Sequence, residues 1–223
     1  QYYPQKLICA VDLPGYGHSA ECSPAQYSSI ALAKMIEPLC SGKQTTLLGW
    51  SMGGLIALDL LSRKNSLFDQ LILVSSSPCF IKKDDWHTAV EASVFTNFAQ
   101  SLSQNHQATI KRFLAIQAMG SRTAREDIKT IQKQLLLRGN ADINALQSGL
   151  QLLLNEGKRQ QLKMIDTFPI TLIGGNQDTL IPVQGLEQLA EQENITLFTI
   201  PGSGHSPFIS HPEEFKQILK KVL

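Results

Sequence analysis

Short apolar runs and amphipathic stretches alternate along the first eighty residues. Lys6-Leu-Ile-Cys-Ala-Val11 is continuously apolar after its lysine and is closed by Asp12-Leu-Pro-Gly-Tyr-Gly-His-Ser19. This predicts a strand buried on both faces, followed by a glycine-rich turn. Ser23-Pro24 offers a helix cap with proline at the first helical position, and apolar residues recur helically through Leu39. Residues 45–48 read as the next strand. Residues 52–63 read as a helix, with Leu55, Ile56, Leu58 and Leu61 spaced for burial, and residues 70–75 as a third strand.

Strand, helix and strand in this rhythm imply a parallel sheet with right-handed crossovers. From Asp84 to about Asp166 the period changes. Apolar positions recur at three and four residues, which predicts helices over 86–102, 107–119, 123–137 and 143–154, with a short one near 158–164. A helical insertion between two sheet strands is a lid or cap. The sheet resumes at 169–173, followed by a helix near 183–192, a strand at 195–200 and a closing helix at 212–222. The expected division is core over 1–80, cap over 81–166 and core again over 167–223.

At 223 residues the chain can bury a core without disulfides or metals. Its net charge of +1 leaves no global basic footprint for nucleic acid, so a charged partner must meet a local patch. Cys9, Cys22, Cys40 and Cys79 show no CxxC pairing or zinc-ligand spacing, consistent with reduced thiols in the cytoplasm. No apolar run approaches the roughly 20 residues of a membrane span, and neither a metal cluster nor a phosphate loop is evident.

Gly49-Trp-Ser-Met-Gly53 matches G-x-S-x-G between a β-rich run and a helical run, as a nucleophile elbow requires. Such a turn lifts the Ser51 hydroxyl clear of the sheet and places the backbone N–H of Met52 to stabilise an oxyanion. A serine hydroxyl needs a base, and the base needs an orienting acid, in the chain order Ser, Asp or Glu, His. His205 lies in Pro201-Gly-Ser-Gly-His-Ser-Pro207, after the last strand and at the carboxyl edge of the sheet. His87 and His106 fall in the helical insertion, and His211 looks like a helix-entry residue. Asp178 is the only carboxylate of Gly174-Gly-Asn-Gln-Asp178. Asp166 lies at the wrong edge, while Asp84 and Asp85 are weaker alternatives that open the insertion.

Together these residues resemble the α/β-hydrolase family along essentially the whole chain. Within it, Leu48-Gly-Trp-Ser-Met-Gly-Gly-Leu55, Ser75-Ser-Ser-Pro-Cys-Phe80, Arg112-Phe-Leu-Ala-Ile-Gln-Ala-Met-Gly120 and His205-Ser-Pro-Phe-Ile-Ser-His-Pro212 resemble the pimeloyl-acyl-carrier-protein methyl ester esterases of biotin synthesis. The resemblance implies a cofactor-free cytoplasmic monomer that cleaves a carrier-bound methyl ester to methanol and a free carboxylate. It also implies that Trp50 and Phe113 line an acyl channel, and that Arg112, Arg125 and Lys129 meet an acidic carrier. Lys111 would replace a family arginine whose position is Ala108 here. Arg122, Arg125 and Lys129, at i, i+3 and i+7, share one helical face. The family's His-Gly loop, the source of a second oxyanion donor, has no counterpart in these residues. The expectation is therefore that some tens of residues precede Gln1 in the native protein and that the chain alone is unstable or nearly inactive. Rival readings are a general short-chain carboxylesterase or thioesterase, a carbon–carbon bond hydrolase, and a non-catalytic binding protein that keeps the fold.

Overall fold

In the computed structural model, residues 6–40, 45–118, 123–138 and 141–223 are described. Four strands, β1 (Thr45–Trp50), β2 (Phe68–Val74), β3 (Ile170–Gly175) and β4 (Ile195–Ile200), form one sheet in the order β1-β2-β3-β4, with every pairing parallel. α1 (Ser29–Ile36) precedes the sheet, α2 (Met52–Arg63) joins β1 to β2, and α8 (Val183–Leu189) joins β3 to β4. α9 (Pro207–Ser210) and α10 (Pro212–Val222) close the chain.

Alternation along each strand sorts the core into two layers. Leu71, Leu73, Ile170, Leu172 and Ile195 face the side covered by α1, α2 and α8, where Leu32, Leu55, Leu58 and Leu186 are essentially inaccessible. Ile72, Val74, Ile173 and Ile200 face the other side, covered by Phe208 of α9 and Phe215, Ile218 and Leu219 of α10. β3 is buried at every position, as a central parallel strand with both faces covered should be.

Between β2 and β3 come α3 (Ala92–Gln104), α4 (His106–Gln117), α5 (Ala124–Arg138), α6 (Ile143–Asn155) and α7 (Arg159–Lys163), close to the helices read from the apolar period. The two ends of this stretch lie side by side. Cys79 bridges Gly157 in antiparallel fashion, and Lys158 N–H donates to Pro78 O at 2.6 Å. A buried polar cluster ties the returning segment to the core. Lys158 Nζ lies 2.9 Å from Asp59 Oδ2 and 3.1 Å from Glu156 Oε2, and the Ser29 hydroxyl meets both carboxylates.

Three expectations differ from the structure. The helix read from Trp86 starts only at Ala92, because residues 86–91 are drawn into isolated bridges, Trp86 with Lys83 and Val90 with Ile81. Residues 6–13 form no strand: Leu7 is 99% and Ile8 72% exposed, and β1 pairs only with β2 among the described strands. An apolar run becomes a strand only where its backbone finds a ladder and its side chains find a surface to bury, and here neither is met. The first helix begins at Ser29 rather than near Ser23, because the Ser28 hydroxyl caps it by accepting from Ala31 N–H. No helix among the described residues is long and apolar enough to cross a membrane.

Candidate active site

The carboxyl ends of β1, β3 and β4 converge on one cluster of side chains. Ser51 follows β1 with φ 52° and ψ −126°, in a region that costs a non-glycine residue about 1–3 kcal/mol and persists only where its surroundings over-determine it. Those surroundings come from the end of β2. Ser51 N–H donates to Val74 O at 3.0 Å, and the Ser76 hydroxyl donates to Ser51 O at 2.7 Å. Two glycines make the crossing possible. A Cβ on Gly49 would come within 2.6 Å of Gly54 Cα, and one on Gly54 would overlap the Ser76 hydroxyl. Gly53, the second glycine of G-x-S-x-G, has open space where a Cβ would go. Ser76 and Gly54 therefore hold the elbow although the motif omits both. The Ser-Ser-Ser-Pro run after β2 was the available signal.

Ser51 is half-buried, while His205 and Asp178 are buried. His205 Nε2 lies 2.9 Å from Ser51 Oγ, and its Nδ1 lies 2.8 Å from Asp178 Oδ2. The other carboxylate oxygen, Oδ1, accepts the backbone N–H groups of Leu180 at 2.9 Å and Ile181 at 3.0 Å. Each carboxylate oxygen thus has its own partners, which fixes both the acid and the imidazole it faces. The peptide of His205 is held as well. Its N–H donates to Gln117 O at 3.0 Å, and its carbonyl accepts from Trp50 Nε1 at 2.9 Å.

Met52 opens α2, so its N–H is one of the four that a helix leaves without an internal partner, beside Ser51 at the positive end of the helix dipole. The Met52 side chain reaches α6. A Cβ at Gly149 would lie 3.2 Å from Met52 Sδ and 2.9 Å from the Tyr16 hydroxyl. Tyr16 donates to Ala145 O at 3.3 Å, and Gly15 O accepts from Asp142 N–H, so the 12–19 turn is docked on the start of α6. Burial pushes the Tyr16 phenol up to about 12 and raises that of the facing Tyr27 further, which keeps both as un-ionised hydroxyls.

The remaining sequence candidates lie on α4 and α5. Lys111 and Arg112 are exposed on α4, and Arg125 and Lys129 on the adjoining α5. Arg122 lies outside the described residues. Phe113 packs edge-on against Phe98 of α3 at 5.3 Å, and the Arg112 guanidinium stands 6.0 Å from the Phe98 ring centroid. Of the carboxylates weighed against Asp178, Asp85 pairs with Arg159 at 2.7 Å instead. His211 Nδ1 pairs with the Ser210 hydroxyl.

A parallel sheet with a strained serine elbow, a histidine after the last strand and a buried aspartate after the one before it defines an α/β hydrolase. The family described as the alpha/beta hydrolase fold matches residues 4–212, and the chain belongs to it. Among its relatives, the chain is similar to the pimeloyl-[acyl-carrier protein] methyl ester esterase of Xylella fastidiosa (strain M12), at 36% identity over all of this chain and 87% of that protein. It is likewise similar to the enzyme of that name from Photobacterium profundum, at 39% identity over 96% of this chain and 82% of that protein. Among solved structures, an esterase from Exiguobacterium antarcticum superposes with a TM-score of 0.82 at 26% identity, covering 95% of this chain and 79% of that one. A bromoperoxidase from Bacillus anthracis, at TM-score 0.84 and 17% identity over 94% and 79%, shares the fold.

Proposed function

We propose that the chain is a serine carboxylesterase that hydrolyses the methyl ester of pimeloyl-acyl-carrier protein in biotin synthesis, working as a cytoplasmic monomer. The observation that carries the serine mechanism is the unbroken line from Ser51 Oγ through His205 to Asp178. The names of the relatives, at 36–39% identity over nearly the whole chain, support the substrate.

In this reading Ser51 Oγ attacks the ester carbonyl while its proton passes to His205 Nε2. Asp178 accepts from Nδ1, which selects the tautomer with a free Nε2 and stabilises the imidazolium that follows. The Met52 N–H donates to the developing oxyanion. His205 then protonates the departing methoxide, methanol leaves, and a water activated by the same imidazole hydrolyses the acyl-enzyme to the free carboxylate. Trp50 and Phe113 are assigned to the acyl chain. The helices of 81–166 act as a cap whose Lys111, Arg112, Arg122, Arg125 and Lys129 meet the acidic carrier.

The test compares carrier-bound pimeloyl methyl ester with a free short-chain methyl ester, for the wild type, Ser51→Ala and the double reversal Arg112→Glu/Arg125→Glu. The carrier substrate should be preferred, Ser51→Ala should abolish both activities, and the double reversal should raise KM for the carrier substrate alone. Equal use of both esters, with no effect of the reversal, would favour a general carboxylesterase and remove the carrier assignment.

A further inference from the structure

The imidazole of His205 owes its place to more than Asp178. The two peptide units that flank its Cα are each held by a hydrogen bond. Gln117 is the last residue of α4, so its carbonyl is one of those a helix leaves unpaired, and the His205 N–H fills it at 3.0 Å. On the other side the Trp50 indole N–H donates to the His205 carbonyl at 2.9 Å.

Trp50 is itself anchored. As the last residue of β1 it sits in register with Val74, and its ring packs with the second core layer. It meets Phe208 edge-on at 5.1 Å and stands 5.8 Å from the His205 ring. The loop carrying His205 has little regular structure of its own, since 201–206 lies between β4 and the short α9. A base on such a loop keeps its distance to the nucleophile only if other elements hold the loop. Trp50 is adjacent in sequence to Ser51, so one β1–elbow segment carries both the nucleophile and a donor that fixes the base.

We infer that Trp50 is a positioning residue for His205: its indole N–H holds the His205 carbonyl so that Nε2 stays within reach of Ser51 Oγ. The inference rests on the serine mechanism proposed above and adds to it a role for Trp50 that does not require contact with the acyl chain.

The experiment replaces Trp50 with phenylalanine and, separately, with 3-benzothienylalanine, which keeps the two-ring shape and lacks only the N–H donor. Four quantities are read: the kcat and the KM for a small free methyl ester, the labelling rate of Ser51 by a fluorophosphonate, and the downfield proton resonance of His205 Nδ1–H. In the isosteric variant, kcat and the labelling rate should each fall about tenfold, the scale of one hydrogen bond of about 1.4 kcal/mol. KM should stay unchanged, and the downfield resonance should broaden as the His205–Asp178 pair loosens. A variant with wild-type labelling rate, wild-type resonance and only a raised KM would overturn the inference and leave Trp50 as an acyl contact. Labelling and resonance need no ester turnover, so they test the inference even if the wild type proves inactive on methyl esters. Wild-type inactivity on the carrier-bound ester, with Ser51 still labelled, would strike the proposed substrate alone.

Discussion

Replacing Asp178 with asparagine tests the site more sharply than deleting it, because the structure dictates which way the new amide must face. Oδ1 accepts two backbone N–H groups, from Leu180 and Ile181, and Oδ2 accepts from His205 Nδ1. If the amide oxygen keeps the two N–H groups, the NH2 points at Nδ1 and forces it to accept. The imidazole proton then moves to Nε2, which donates to Ser51 Oγ and cannot take its proton. The alternative flip saves the tautomer but sets an NH2 against two N–H donors in a site where the carboxylate is buried. Two buried donors losing their acceptor cost about 1–3 kcal/mol each, or roughly 2–6 kcal/mol together. The productive flip is therefore populated at roughly one part in 30 to one part in 20,000, at about 1.4 kcal/mol per factor of ten. The expectation for Asp178→Asn is a loss of kcat of about 10³–10⁴-fold, in line with the effect of a wrong tautomer in serine proteases, with KM and thermal midpoint little changed. The assay is hydrolysis of a free methyl ester across the pH range, with circular dichroism to verify folding. A folded Asp178→Asn variant within about tenfold of wild-type kcat would refute the tautomer argument, since that loss corresponds to only about 1.4 kcal/mol.

Three further outcomes follow from geometry already described. Gly54→Ala should lower kcat by at least about tenfold on a free ester, because the new Cβ displaces Ser76 from the Ser51 carbonyl; Gly53→Ala, with open space at its Cβ, should stay near wild type on the same assay. Lys158→Met removes the cation between Asp59 and Glu156 and should cost about 3 kcal/mol in urea unfolding, or roughly 10 °C in Tm, while a surface control such as Lys82→Met stays within error. The Tyr16 phenol, at about 12 in the folded chain against an ordinary 10 when unfolded, keeps a proton that the unfolded chain loses. Stability should therefore fall as pH rises from about 10 to about 12, and Tyr16→Phe should flatten that fall in unfolding curves at high pH.

The triad was legible in the sequence because each member follows a strand, and chain order supplies what geometry must otherwise provide. The G-x-S-x-G motif, the chain order Ser, Asp, His and the strand ends together set Ser51, Asp178 and His205 at the same sheet edge, and the structure brings the three within hydrogen-bond distance. The helical period likewise placed α4–α7 to within a residue or two, and the end of α3, but it set the start of α3 six residues early. What could not be read depends on partners far away in the chain. Residues 6–11 have the composition of a buried strand, but among the described residues they find neither a ladder nor a surface to bury against. The cluster of Ser29, Asp59, Glu156 and Lys158 draws on three separate segments, none of which carries a local pattern. Gly54 was visible as a residue but hidden as a requirement, since its constraint is the Ser76 hydroxyl from the loop after β2. Trp50 drew attention by resemblance to an acyl channel, whereas its indole N–H bond to the His205 carbonyl emerges only in three dimensions.

Beyond β2 the chain passes through Pro78-Cys79 and, before α7 and β3, comes back through Gly157-Lys158, where the outgoing and returning segments are bonded to each other. A stretch that starts and finishes at one point behaves like a graft on a stem. Its contents can be lengthened, shortened or exchanged without altering the spacing of β2 and β3 or of the residues at their ends. Under the mechanism proposed above, variation in this segment would change what approaches Ser51 while the row of Ser51, His205 and Asp178 stays in place. One condition travels with any exchange: the new segment must present a carbonyl where Gln117 now meets the His205 N–H, or the base loses one of its two holds.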